Sequence, residues 1–96
     1  KIASAFAHLG VALGRLGDFE NASRAFDRAV KLDPDDSVIW LNFSIVCLRG
    51  NLKSRAHEAF DAFMKILNDS KKSLLDDDDG AIQSTIDTIK NIFGET

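Results

Sequence analysis

Proline, cysteine and tyrosine are nearly missing from these 96 residues: there is one proline, one cysteine and no tyrosine. Proline is the residue a helix interior excludes most strongly, so a chain with one of them is free to be helical over most of its length. A single cysteine, Cys47, rules out an internal disulfide framework, and a reducing interior suits such a chain best. There is no apolar run of about 18 residues and no signal- or transit-peptide pattern, so direct membrane insertion is not expected. Positive charge is not in excess either. Twelve Lys and Arg against 15 Asp and Glu leave a formal net charge of -3, which removes the electrostatic basis for binding nucleic acid or an anionic membrane. What is present is 45% hydrophobic and 28% charged residues, the composition of one small globular domain rather than of a disordered chain. The helical pattern is already running at Lys1, which is not an initiator methionine, so a piece of a longer protein is expected.

Ile2, Phe6, Leu9, Leu13 and Leu16 recur at three- and four-residue steps, which predicts a helix over 2–16. Gly17 ends it by adopting the left-handed conformation, and Asp18 caps the next helix, expected over 19–32 with Phe19, Ala22, Phe26 and Ala29 inward. Phe6, Leu9, Gly10 and Leu13 are expected to share the face that meets it. The stretch Asp33-Pro34-Asp35-Asp36 is a connection. A third helix over 37–49 is apolar nearly all round, more than one neighbour can cover. Gly50-Asn51 breaks it. A fourth helix starts near Lys53, with Ala56, Ala59, Phe60, Phe63, Met64 and Leu67, and extends toward Lys71 and Lys72. The acidic run 76–79 leads into a fifth helix over 80–93, apolar at Ile82, Ile86, Ile89 and Phe93 and polar opposite.

The unit FAHLGVALGRLGDFENASRAFDRAVKLDP, with its large–Leu–Gly–large spacing, its Ala–aromatic–Ala spacing and its closing Pro34, resembles the tetratricopeptide (TPR) repeat. The 34-residue period of that family carries Phe6 onto Trp40, Leu9 onto Phe43, Ala22 onto Ala56 and Phe26 onto Phe60. Gly10 becomes Ser44, still small, while Leu13 becomes Cys47, Ala29 becomes Phe63 and Pro34 becomes Asn68. The resemblance therefore implies an all-α, TPR-type α-solenoid. A strong repeat would span 1–36 and a degenerate one 37–70, followed by an acidic linker at 71–79 and a C-terminal capping helix at 80–96. Asn51-Leu52-Lys53 departs from the family's usual turn signature.

Candidate chemistry is thin. His8 and His57 fall on different helices with no ligand spacing around them. Cys47 replaces a core residue and has no base beside it in its own helix. The run 76–79 lacks the alternation and distal Glu of a calcium loop and reads as a solvated linker whose last Asp caps the fifth helix. Gly10, Gly14 and Gly17 sit on and after a helix rather than between a strand and a helix, so they do not cradle phosphate. No catalytic residue, metal or cofactor is expected.

Function is then expected at surfaces. In the family, the first helix of each pair lines a concave groove. By resemblance the groove positions include Ala7, Val11 and Arg15, with Ser4, His8 and Gly14 beside them, and then Val38, Leu41, Asn42, Ile45, Leu48 and Arg49. The co-chaperone branch holds a C-terminal carboxylate there with Lys, Arg and Asn; only Asn42 fits, and Ala7 and Val11 stand where Lys and Asn belong. The remaining groove is apolar, with Arg15 and Arg49 at one edge, and either a partner protein or neighbouring repeats of the same chain would cover it. Over about 5–93, through GDFENASRAFDRAVKLDPDD and LNFSIVCLRGNLKSRAHEAF, the chain also resembles the C-terminal end of the repeat array in BBSome-type subunits. That implies a non-catalytic scaffold that binds other subunits of a ciliary membrane-protein trafficking complex, cytoplasmic and near the basal body and centriolar satellites. The other readings are a substrate-recruiting segment of an enzyme such as a protein glycosyltransferase, and a peptide-binding co-chaperone. An apolar face at Ile2, Phe6 and Leu9 is expected to favour self-association.

Overall fold

The computed structural model describes residues 2–70 and 81–94. They form five helices and, among the described residues, no strand: α1 Ile2–Arg15, α2 Phe19–Leu32, α3 Ser37–Arg49, α4 Lys53–Ser70 and α5 Ala81–Phe93. The expected run of α4 into Lys71 and Lys72, the acidic segment 76–79 and its capping role lie outside the described residues. So does the side chain of Ile82. The architecture is an all-α, TPR-type solenoid in which α1 pairs with α2, α3 pairs with α4, and α5 closes the stack.

The 34-residue period is visible in the backbone. At the end of α1 the Asp18 amide donates to the Leu13 carbonyl (2.9 Å) and the Gly17 amide to Gly14 (3.1 Å). At the end of α3 the Leu52 amide donates to Cys47 (2.8 Å) and the Asn51 amide to Leu48 (3.1 Å). These are two copies of one C-terminal cap, which needs a left-handed residue at its pivot. Gly17 supplies it at φ 83°, and Asn51 at φ 61°, asparagine being among the few side chains that tolerate this region. The unusual Asn51-Leu52-Lys53 sequence thus makes the same turn as Gly17-Asp18-Phe19. Helix starts are capped by aspartate: Asp18 accepts from the Asn21 amide (3.4 Å) and Asp36 from the Val38 amide (3.0 Å). The Trp40 indole donates to the Pro34 carbonyl (2.7 Å), tying the connection to α3.

The core corrects one expectation about α1. Its buried residues are Ala3, Ala7, Gly10 and Gly14, whereas Leu9 is 48% exposed and Leu16 81% exposed; Phe6 and Leu13 are half-buried. Of the four residues expected to share the inner face, only Gly10 is buried. The reason is steric. α1 touches both α2 and α3, and close approach of three backbones admits only small side chains on the buried face. A Cβ built on Gly10 lies 2.6 Å from the Phe26 ring, and one on Gly14 lies 2.8 Å from Val46. The large residues of α1 are left at the margins of that contact, Phe6, Val11 and Leu13 half-buried against the core and Leu9 and Leu16 exposed. We expect Gly10→Val to cost about 1–3 kcal/mol by overpacking, read as a lowered urea midpoint.

Two clusters share the interior. The first joins α1, α2, α3 and the start of α4 around Phe26, Phe43, Val46 and Cys47. Phe26 stacks on Phe43 with centroids 5.2 Å apart. The second joins α3, α4 and α5 around Leu41, Phe60, Phe63, Leu67, Ile86 and Ile89. α3 belongs to both, which explains its all-round apolar character. Arg55 on α4 reaches across to Asp27 (3.0 Å) and Ser23 (2.9 Å) on α2. With both ionic side chains more than a third exposed, that link contributes under about 1 kcal/mol.

Candidate protein-binding groove

The nine expected groove residues do not form one open surface. Ala7 is buried on α1, and Leu41, 8% exposed, belongs to the cluster shared with α4 and α5. Ile45 and Leu48 are half-buried against that same cluster. Val11 and Asn42 are half-buried, while Arg15, Val38 and Arg49 are exposed. In the second repeat's part of the groove, Ile86 and Ile89 of α5 share a cluster with Leu41, with Ile45 and Leu48 packed against it.

Between α3 and α5 a cavity of about 310 Å3 stays open. Its apolar walls are Ile45 and Leu48 from α3 and Ile89 and Ile92 from α5; Arg49, Ser84 and Thr88 also line it. Ile92 is an exposed large apolar residue. The Thr88 hydroxyl donates to the Ser84 carbonyl (3.0 Å), which orients the methyl and hydroxyl of that wall. Such a slot suits one or two apolar side chains with an acidic group nearby for Arg49. The contribution of α5 was missed from the sequence because Ile92 falls off the Ile82–Ile86–Ile89–Phe93 stripe. A large apolar residue on the polar side of an amphipathic helix was the available signal.

The remaining chemically capable side chains are accounted for. Cys47 is 1% exposed, and burial, with Asp27 adding and Arg55 opposing, pushes its thiol up to about 11. It stays protonated at neutral pH and poorly nucleophilic. Alkylation by iodoacetamide at pH 8 is expected to run under a tenth of the rate of a free thiol, and to reach it once urea unfolds the chain. His57 on α4 lies 3.2 Å from Asp61 (Nδ1 to Oδ2) and meets the Phe93 ring edge-on at 4.8 Å, a packing role for α5. His8 is exposed on α1. Among the described residues no group of three or more His, Cys, Asp and Glu is placed to hold a metal ion. No helix among them is long and apolar enough to cross a membrane.

Among the described residues, two helix pairs related by a 34-residue period and followed by α5 have the form of a helical repeat protein. In comparison with known families, residues 3–36 match the tetratricopeptide repeat. No curated protein and no solved structure matches the chain. The matched span begins in α1 and ends at Asp36, the cap of α3, so it takes in one complete helix pair.

Proposed function

We propose that this chain is a non-catalytic protein-binding module that takes an extended or helical segment of another protein along its groove. Ile45, Leu48 and Arg49 of α3, together with Ile89 and Ile92 of α5, are its contact residues. The observation that carries the reading is the largely apolar cavity between α3 and α5, which Arg49 also lines. Tetratricopeptide repeats serve as protein-interaction modules, and the described residues hold no catalytic constellation that competes with that role. Val11, Arg15 and Asn42 continue the groove toward the first repeat. Ala7 and Leu41 are buried and support it from beneath.

The finer reading is a subunit of a BBSome-type complex, acting in the cytoplasm near the basal body and centriolar satellites in assembly of a ciliary trafficking complex. It rests on the sequence resemblance alone. Affinity capture from ciliated-cell lysate, read by mass spectrometry, tests both levels. The proper variant is Ile45→Glu with Arg49→Glu. Leu41→Glu is unsuitable, since it would bury a carboxylate in the cluster under α5. Recovery of BBSome subunits by the wild type and not by the variant supports the full reading. Recovery of other proteins in the same groove-dependent way keeps only the module, and equal recovery by both removes the groove.

A further inference from the structure

Ser84 differs from the other hydroxyl side chains on two counts, one in the sequence and one in the fold. Of the serines and threonines among the described residues, it alone has an acid three positions on, in Ser84-Thr85-Ile86-Asp87. An acid at that distance is the feature by which one class of protein kinases selects its target serine. Ser84 is also exposed and lines the cavity between α3 and α5, with Arg49 on the other helix. Its carbonyl accepts from Thr88 (3.0 Å), while its hydroxyl makes no hydrogen bond to another described residue. Among the described residues that line the cavity, Arg49 is the one charged side chain, and it forms no ion pair with any of the described residues. The cavity thus holds an uncommitted cation on one wall and an uncommitted hydroxyl on the other.

We propose that Ser84 is a phosphorylation site whose phosphate pairs with Arg49 across the cavity and closes it to partner proteins. The inference rests on the reading of this cavity as the binding groove. In the transfer step the Ser84 oxygen bonds to the terminal phosphorus of a nucleoside triphosphate as the bond from that phosphorus to the diphosphate breaks. The hydroxyl proton passes to a base of the kinase, and the nucleoside diphosphate leaves. The product carries about -1.5 to -2 charges at neutral pH and three acceptor oxygens, a match for a guanidinium. Asp87, one turn further along α5, repels that charge, which leaves Arg49 as the favourable partner. The pair takes the cation away from a partner's carboxylate, turns the hydroxyl wall anionic and ties α5 to α3.

A kinase cleft takes an extended segment, whereas residues 84–87 are helical and Ile86 is 2% exposed. The transfer therefore takes place while the start of α5 is released from the cluster around Leu41 and Phe60, a local opening of the kind that helix ends undergo. On reclosure the phosphate meets Arg49 and favours the closed state.

The test treats the full chain with a kinase of that class and ATP and maps the product by mass spectrometry. Phosphate is expected on Ser84 and not on Ser54, an exposed serine of α4 with His57 at the third position. Asp87→Asn should slow the transfer at least about tenfold, and Ile86→Ala, by loosening α5, should speed it. Amide exchange in α5 should slow on phosphorylation of the wild type and stay unchanged in Arg49→Gln. A capped peptide of leucine and glutamate residues, followed by fluorescence anisotropy, should bind the phosphorylated chain at least about tenfold more weakly than the unmodified chain. Arg49→Gln should shrink that difference, and Ser84→Ala should abolish both responses to the kinase. No phosphate on Ser84 overturns the proposal, as does a modified chain whose α5 exchange is unchanged or is slowed equally in Arg49→Gln. Peptide binding that phosphorylation leaves intact overturns it too. If the peptide binds neither form, the groove reading fails on its own account, and exchange in α5 still decides whether the phosphate pairs with Arg49.

Discussion

Phe26→Ala is expected to cost about 3–5 kcal/mol in urea titration, the range for removing a buried aromatic ring. Phe26 is wholly inaccessible to solvent. It stacks within 12° of parallel on Phe43, and its ring edge lies so close to α1 that a Cβ on Gly10 would sit 2.6 Å from it. Three helices thus meet on one side chain, and backbones held by caps at both ends cannot collapse to fill the vacancy. Leu9→Ala on the same repeat is the control. Nearly half exposed, Leu9 is expected to lose under about 1 kcal/mol. A small loss at Phe26 with a large one at Leu9 would invert the assignment of inner and outer faces.

That pair of variants also marks where sequence reasoning reached and where it stopped. The caps were legible because each is a local chemical requirement: a left-handed pivot at Gly17, an aspartate at Asp18, a proline in the connection. Helices α2 and α3 begin and end where those signals put them. Phe26 was legible as well, since its apolar neighbours on α2 keep a single register. The face of α1 was not, because periodicity counts large apolar residues and Phe6, Leu9 and Leu13 form the more hydrophobic stripe. Burial went instead to Ala3, Ala7, Gly10 and Gly14, where the distance between backbones decides and hydrophobicity does not. The candidate groove failed to form one open surface for a related reason. Leu41 and Ile45 look like exposed groove residues when α3 is read alone, and side chains of α4 and of α5, distant in sequence, cover them together. Nothing in the local pattern of α3 announces that contact.

Ile86→Ala is the second large expected effect, at about 2–5 kcal/mol for a buried isoleucine, and its character should differ from that of Phe26→Ala. Ile86 is 2% exposed and packs with Leu41, Phe60, Phe63 and Leu67, so it holds α5 to both helices of the second repeat. Ile89 in the same cluster and Phe93 against His57 and Phe60 hold α5 beside it. Repeat arrays lose stability unit by unit when one interface is weakened. Amide exchange in α5 is therefore expected to accelerate while that in α1 and α2 stays protected, and the uncovered Phe60 and Phe63 should raise binding of a hydrophobic dye. The cavity between α3 and α5 would lose the wall made by Ile89 and Ile92, so groove binding should fall with the exchange protection of α5 rather than with global stability. Equal acceleration of exchange in α1 and α5 would instead mean that the five helices unfold as one unit, and that α5 cannot open without the first repeat.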